Sequence, residues 1–170
     1  MQFSAEFGDD ATLAQIAGQL DEVRAAEPLG VALFRAGAAP WHDDLGSLHR
    51  LAARLHGASV RVFESLDLWD ICALLANSRA FCGSSLHGRI VALAFGVPRV
   101  SLRRPAAPPG KVAAFAACWD DHMPYEVDPC NLAAALRCAL AAPPQPLRDL
   151  AKRLADRCHA DFSALCAVLQ

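Results

Sequence analysis

No acidic residue stands between Asp70 and Asp120 in this chain of 170 residues. Six basic residues fall inside that gap, Arg79, Arg89, Arg99, Arg103, Arg104 and Lys111, while the other ten share the rest of the chain with all eighteen acids. Either the middle third carries a positive local field suited to an anionic ligand, or its cations pair with acids distant in sequence. Charge position alone leaves both readings open. Long apolar runs are also missing. Stretches such as Ile90–Phe95 stop well short of the roughly 20 residues that a bilayer-spanning helix needs. No membrane span is expected. The acidic opening Met1–Asp10 lacks the basic and apolar blocks of a secretion signal, so the chain reads as cytoplasmic.

Cysteine pairs are absent as well. The seven cysteines (Cys72, Cys82, Cys118, Cys130, Cys138, Cys158, Cys166) are odd in number and include no Cys-x-x-Cys, which argues against a zinc site. Set mostly among Ala, Leu and Val, they are expected to act as small hydrophobes in a reduced compartment. Neither Gly-x-Gly-x-x-Gly nor a Walker lysine occurs, so no dinucleotide or P-loop cofactor is expected. Metal and nucleic acid are likewise not expected partners. A serine-hydrolase elbow fails too: counting from Gly83, Ser85 is third but His87 stands where the last glycine should be.

Apolar runs of strand length alternate with segments of helical period, the pattern of an α/β protein with a mainly parallel sheet. Strands are predicted over Leu29–Phe34, Val60–Phe63, Ala80–Gly83, Arg99–Leu102 and Tyr125–Val127. Helices are predicted over Thr12–Ala26, Asp44–Leu55, Leu68–Asn77, Leu86–Phe95, Lys111–Cys118 and Asn131–Ala141. Pro105–Pro109 reads as a loop, and Pro143, Pro144 and Pro146 as a break before a terminal amphipathic helix from Leu147 to about Leu169. The expected architecture is a Rossmann-like three-layer sandwich of about five strands spanning residues 1–146. Residues 147–170 form a helix packed on it, within a single domain.

The informative segment is Ala80–Pro98: a short strand, a turn of small residues, then a helix with its punctuation in place. Ser84 or Ser85 can cap that helix, Leu86, Ile90 and Leu93 form its apolar stripe, and Gly96 followed by Pro98 ends it. A parallel strand feeding a helix puts free backbone N–H groups at the carboxyl edge of the sheet, where the helix dipole favours an anion. Ser84 and Ser85 offer hydroxyls there, and His87, in the first turn, can exchange a proton with whatever sits on the helix start. Arg89, one turn beyond Ser85, is a further candidate contact. His49 and His56, seven apart, read as surface residues. Trp41, Trp69 and Trp119 read as packing residues at element edges rather than as sugar-stacking platforms.

The run Cys82-Gly83-Ser84-Ser85-Leu86-His87-Gly88, continuing through Ala92–Pro98 and on to Lys111, resembles the C-terminal half of the polysaccharide pyruvyl transferase family. A looser similarity extends from about Leu29 to Phe115. The resemblance implies a half of glycosyltransferase-B-like construction, phosphoenolpyruvate as an anionic donor, and conversion of a sugar hydroxyl pair into a pyruvate ketal, as in exopolysaccharide biosynthesis. It further implies that His87, in a Leu86-His87 pair, is the general acid toward the donor's methylene carbon and that Lys111 can complete the donor site; Ser84, Ser85, Gly88 and Arg89 are the other donor contacts expected around this turn. Many relatives carry an arginine immediately before the leucine, where this chain has Ser85. Family members are built from two halves, so a missing N-terminal half, a partner subunit or a second copy is expected to complete the cleft. A non-catalytic anion-binding or assembly module, and the donor half of a glycosyltransferase, are the alternative readings.

Overall fold

Short apolar runs punctuated by turn residues become five short parallel strands in the computed structural model. It describes residues 1–37, 39, 42–56, 59–105, 108, 110–120, 123 and 126–168. The strands are β1 (Val31–Phe34), β2 (Val60–Phe63), β3 (Phe81–Gly83), β4 (Arg99–Leu102) and β5 (Glu126–Val127). Between and after them run α1 (Asp10–Ala26), α2 (Leu45–Arg54), α3 (Leu68–Ala76), α4 (Leu86–Ala94), α5 (Lys111–Trp119), α6 (Leu132–Leu140) and α7 (Pro144–Val168). Of the expected strand starting at Tyr125, that first residue lies outside the described residues. So do Trp41 and parts of the Pro105–Pro109 loop.

Five strands do not form one continuous ladder. β1 pairs with β2 in register Val31 to Val60, and β3, β4 and β5 form a separate sheet, all parallel. The first two residues of the chain lie between the two sheets. The Met1 amino group donates to Ala32 O at 2.5 Å and Phe34 N–H donates to Met1 O at 3.0 Å, a parallel pattern centred on Leu33. On the other side Gln2 N–H donates to Cys82 O at 3.0 Å, in a parallel bridge to Gly83. Read across, the order is β2, β1, residues 1–2, β3, β4, β5. The chain builds outward in one direction from residues 1–2 to β2, then returns to build in the other. That reversal makes the gap between residues 1–2 and β3 the topological switch point of a Rossmann-like sheet.

Alternating side chains along the strands feed two cores. Leu33, Cys82, Val100 and Leu102 face α1, α2 and α6 in the larger one, while Phe34 and Phe81 face α3 and α4 in the smaller, their rings 6.3 Å apart. Aspartates cap α1, α2 and α3: Asp9 accepts from Thr12 N–H, Asp44 from Gly46 and Ser47, Asp67 from Trp69 and Asp70. α4 ends in a Schellman turn. Gly96 takes φ +64°, its N–H donates to Leu93 O, and Val97 N–H donates to Ala92 O.

Several sequence expectations change here. The prolines at 144 and 146 open α7 instead of preceding it, because first-turn N–H groups have no partner to lose. α7 buries only its start in the domain, and further on Arg157 lies over the Trp119 ring at 5.1 Å. Leu147 and Leu150 are buried, whereas every described residue from Ala155 onward is exposed. The cysteines do not fill the core: Cys82 is buried, Cys72 is half-buried and the other five are exposed. Trp69 is 76% exposed at the start of α3, so packing does not account for it.

The positive field expected of the acid-free window is mostly cancelled by acids outside it. Arg89 and Arg99 are fully buried and share Asp120: Arg99 grips it with Nε at 2.7 Å and Nη2 at 2.5 Å, and Arg89 Nη2 reaches it at 2.6 Å. Arg89 also donates to Ser101 Oγ at 2.9 Å and to Met123 O. Burial pulls the Arg89 guanidinium below its ordinary value, and Asp120 opposes that pull. Arg79 pairs with Glu27, Arg104 with Asp9 and Arg103 with Asp128. Lys111 alone of the six has no ion-pair partner among the described residues.

Removing Asp120 strands two buried cations. Asp120→Ala is expected to lower the unfolding free energy by about 3–5 kcal/mol, read from a urea titration by circular dichroism. Desolvation pushes the Cys82 thiol up to about 12. In thiol titration of the native protein the five exposed cysteines should react promptly, and Cys82 only once the chain is unfolded.

Candidate active site

A cleft of about 540 Å3 opens at the carboxyl edge of the strands, over the switch point. Four stretches of chain line it: Gln2, Ser4 and Glu6 after the first residues, Ala36–Asp43 in part after β1, Ser84–His87 after β3, and Lys111 at the start of α5. A second cavity of about 330 Å3, lined by Met1, Leu29 and Arg79 among others, lies at the opposite, amino edge. In an open parallel sheet the carboxyl edge is where helix N-termini and loops converge on a ligand.

Ser85 is the N-cap of α4: its Oγ accepts the Gly88 N–H at 3.2 Å, and its carbonyl accepts the Arg89 N–H. The Ser85 N–H is taken by Gln2 Oε1 at 2.9 Å. The amides of Leu86 and His87, next in line, find no hydrogen-bond acceptor among the described residues. They are the open donors that a helix start leaves for a ligand. Ser84 faces back across the switch point, its Oγ accepting from Ser4 N–H at 2.9 Å and donating to Ser4 Oγ at 3.2 Å. The His87 side chain is exposed on the cleft wall.

Five of the residues read from the sequence meet in this cleft: Ser84, Ser85, Leu86, His87 and Lys111. Two do not. Arg89 is 0% exposed, turned under the helix into its pair with Asp120, so it does not reach the cleft; a one-turn spacing fixes the face of a helix but not which way a long side chain bends. Gly88 is buried with its N–H given to Ser85, and its role is packing: a Cβ there would sit 2.7 Å from Phe81 Cζ. His49 and His56 lie elsewhere, beside Glu64 and Asp21.

Sequence reasoning missed Gln2, Glu6, His42 and Asp43, which line the cleft from stretches that carry no motif. Asp43 is 7% exposed and its oxygens accept from Gln2 Nε2 at 2.7 Å and Ala36 N–H at 2.6 Å. The signal that could have found them is topological: Gln2 is itself paired into the sheet, and Glu6, His42 and Asp43 follow paired residues at the carboxyl edge. Among the described residues no three His, Cys, Asp or Glu side chains cluster as a metal site, and no helix is long and apolar enough to cross a membrane.

Residues 4–104 match the family model for polysaccharide pyruvyl transferase, more than half of the chain and every cleft stretch from Ser4 to His87. The chain belongs to the polysaccharide pyruvyl transferase family. No curated protein matches it in a direct sequence search. Lys111 lies beyond the segment that matches the pyruvyl transferase family.

Gly83 is where the switch point is tightest. A Cβ there would meet Gln2 O at 2.4 Å, a backbone atom that cannot yield without opening the bridge. Gly83→Ala should therefore destabilise the fold by about 1–3 kcal/mol. It should also accelerate hydrogen exchange at the Gln2 amide, observable by NMR.

Proposed function

We propose that the cleft holds phosphoenolpyruvate, with its anionic end on the free amides of Leu86 and His87, and that His87 protonates the donor's methylene carbon. One observation supports the reading: the two helices whose first turns line the cleft, α4 and α5, carry no carboxylate cap. Asp9, Asp44 and Asp67 cap helices α1 to α3, whereas Ser85 and Gly110 open α4 and α5, and neither first turn holds an acid. Lys111 stands in the first turn of α5 and lines the same cleft, a cation at the positive end of a helix dipole. An anion between α4 and α5 relieves that arrangement. The cleft volume of about 540 Å3 falls in the usual range for small-molecule sites, about 300–1,000 Å3.

The chemistry balances with one imidazole. The His87 imidazolium gives its proton to the methylene carbon, which becomes a methyl group and leaves the adjacent carbon electrophilic. A sugar hydroxyl oxygen adds to that carbon and returns its proton to His87. A second hydroxyl oxygen of the same sugar then displaces the phosphate, which departs with the second proton, closing the ketal. Glu6 and His42 are exposed in the lining of the same cleft and in this reading are left for the acceptor. A second Rossmann-like half, a partner subunit or another copy of the chain supplies the opposite wall for the saccharide.

A second reading, an anion-binding or assembly module without turnover, draws on Ser85. Its hydroxyl oxygen caps Gly88, so no guanidinium grips the donor from the position where relatives carry arginine. Phosphate release from phosphoenolpyruvate in the presence of saccharide acceptor separates the two. His87→Ala is expected to cut it by about 10²–10⁴-fold while leaving calorimetric binding of phosphoenolpyruvate in place. Unchanged release in that variant overturns the proton-donor role. Phosphate-dependent thermal stabilisation with no release in the wild type favours the second reading.

A further inference from the structure

Three separate stretches of chain meet at one buried hydrogen-bonded line. Asp43, in the loop after β1, accepts from Gln2 Nε2 at 2.7 Å through Oδ1 and from Ala36 N–H at 2.6 Å through Oδ2. Gln2, 2% exposed, then accepts the Ser85 N–H on its Oε1 at 2.9 Å. The line has a direction. An ionised carboxylate only accepts, so the Gln2 amide must turn its N–H2 toward Asp43, and its oxygen is thereby aimed at Ser85. Reversed, the amide would set an N–H2 group against the Ser85 N–H at the start of α4.

We propose that Asp43 is a positioning residue of the anion seat: acting through Gln2, it engages the Ser85 amide and fixes the first turn of α4, so that the Leu86 and His87 amides face the cleft. The ligand in this statement rests on the donor reading above, whereas the positioning itself rests on the hydrogen bonds alone. Asp43 touches neither donor nor proton in this scheme. Its role is to hold the place where His87 begins, and small displacements of such a group are costly to a reaction that depends on alignment.

Two isosteric substitutions and their combination test the direction of the line. Asp43→Asn puts an amide where two donors need an acceptor, and Gln2→Glu sets two carboxylates face to face. In the double variant the introduced asparagine donates to the introduced glutamate and accepts from Ala36, and the glutamate accepts from Ser85, which restores every bond. Hydrogen exchange at the Ser85 amide, followed by NMR on the full chain, should accelerate about tenfold or more in each single variant and return close to wild type in the double. Calorimetric affinity for phosphoenolpyruvate should fall about tenfold in each single variant and recover in the double.

Wild-type exchange at Ser85 in Asp43→Asn overturns the positioning role, whatever the ligand. Loss in both singles without recovery in the double overturns it as well, since a merely structural defect would add rather than cancel. If a single variant fails to fold, the double decides: folded and protected at Ser85 it upholds the proposal, folded and unprotected it overturns it. Exchange effects as expected, with phosphoenolpyruvate binding absent even from wild type, uphold the positioning and sink the donor reading separately.

Discussion

The first two residues of the chain hold this protein together. Met1 bonds to β1 and Gln2 to β3, so a two-residue segment joins a two-stranded and a three-stranded sheet into one parallel surface. Because the chain builds outward in both directions from that segment, the crossovers on either side diverge. The crevice they leave is the cleft. Gln2 serves twice, its backbone in the sheet and its side chain between Asp43 and Ser85. Gly83 permits the close approach, since any side chain there would strike the Gln2 carbonyl.

α4 is fixed at two levels. At its start, Ser85 caps it and is held by Gln2. In its second turn Arg89 is drawn under the helix to Asp120 and the carbonyl of Met123. Two buried guanidiniums on one buried carboxylate form an arrangement whose value lies in registration: desolvating three charges consumes much of what their attraction provides, but it leaves few alternative packings. Between these anchors the exposed imidazole of His87 keeps a defined origin and free access to the cleft.

Electrostatics in the cleft follows from capping chemistry. Helices α1 to α3, whose first turns do not line it, are capped by aspartates that offset their own dipoles. The helices that point into it use serine and glycine, and α5 adds Lys111, so their positive ends stay uncompensated by local carboxylates. Asp43, which also lines the cleft, turns both oxygens to hydrogen bonds within the wall.

By itself the sequence determined what is local. Strands β2 and β4 fall where alternation placed them, a serine cap at 84 or 85 and the Gly96 turn follow from residue type, and Ser84–His87 mark the cleft because a strand-turn-helix junction is written in contiguous residues. Tertiary structure decided the rest. That Arg89 pairs inward with Asp120, thirty-one positions away, and that Gln2 reaches Ser85 across eighty-three, depend on which strands lie side by side. Strand order is set by crossover geometry and core packing summed over the whole chain, and no window of neighbouring residues contains it. For the same reason the acid-free window looked like a positive surface: charge in a sequence is counted along the chain, whereas charge in a fold is cancelled through space.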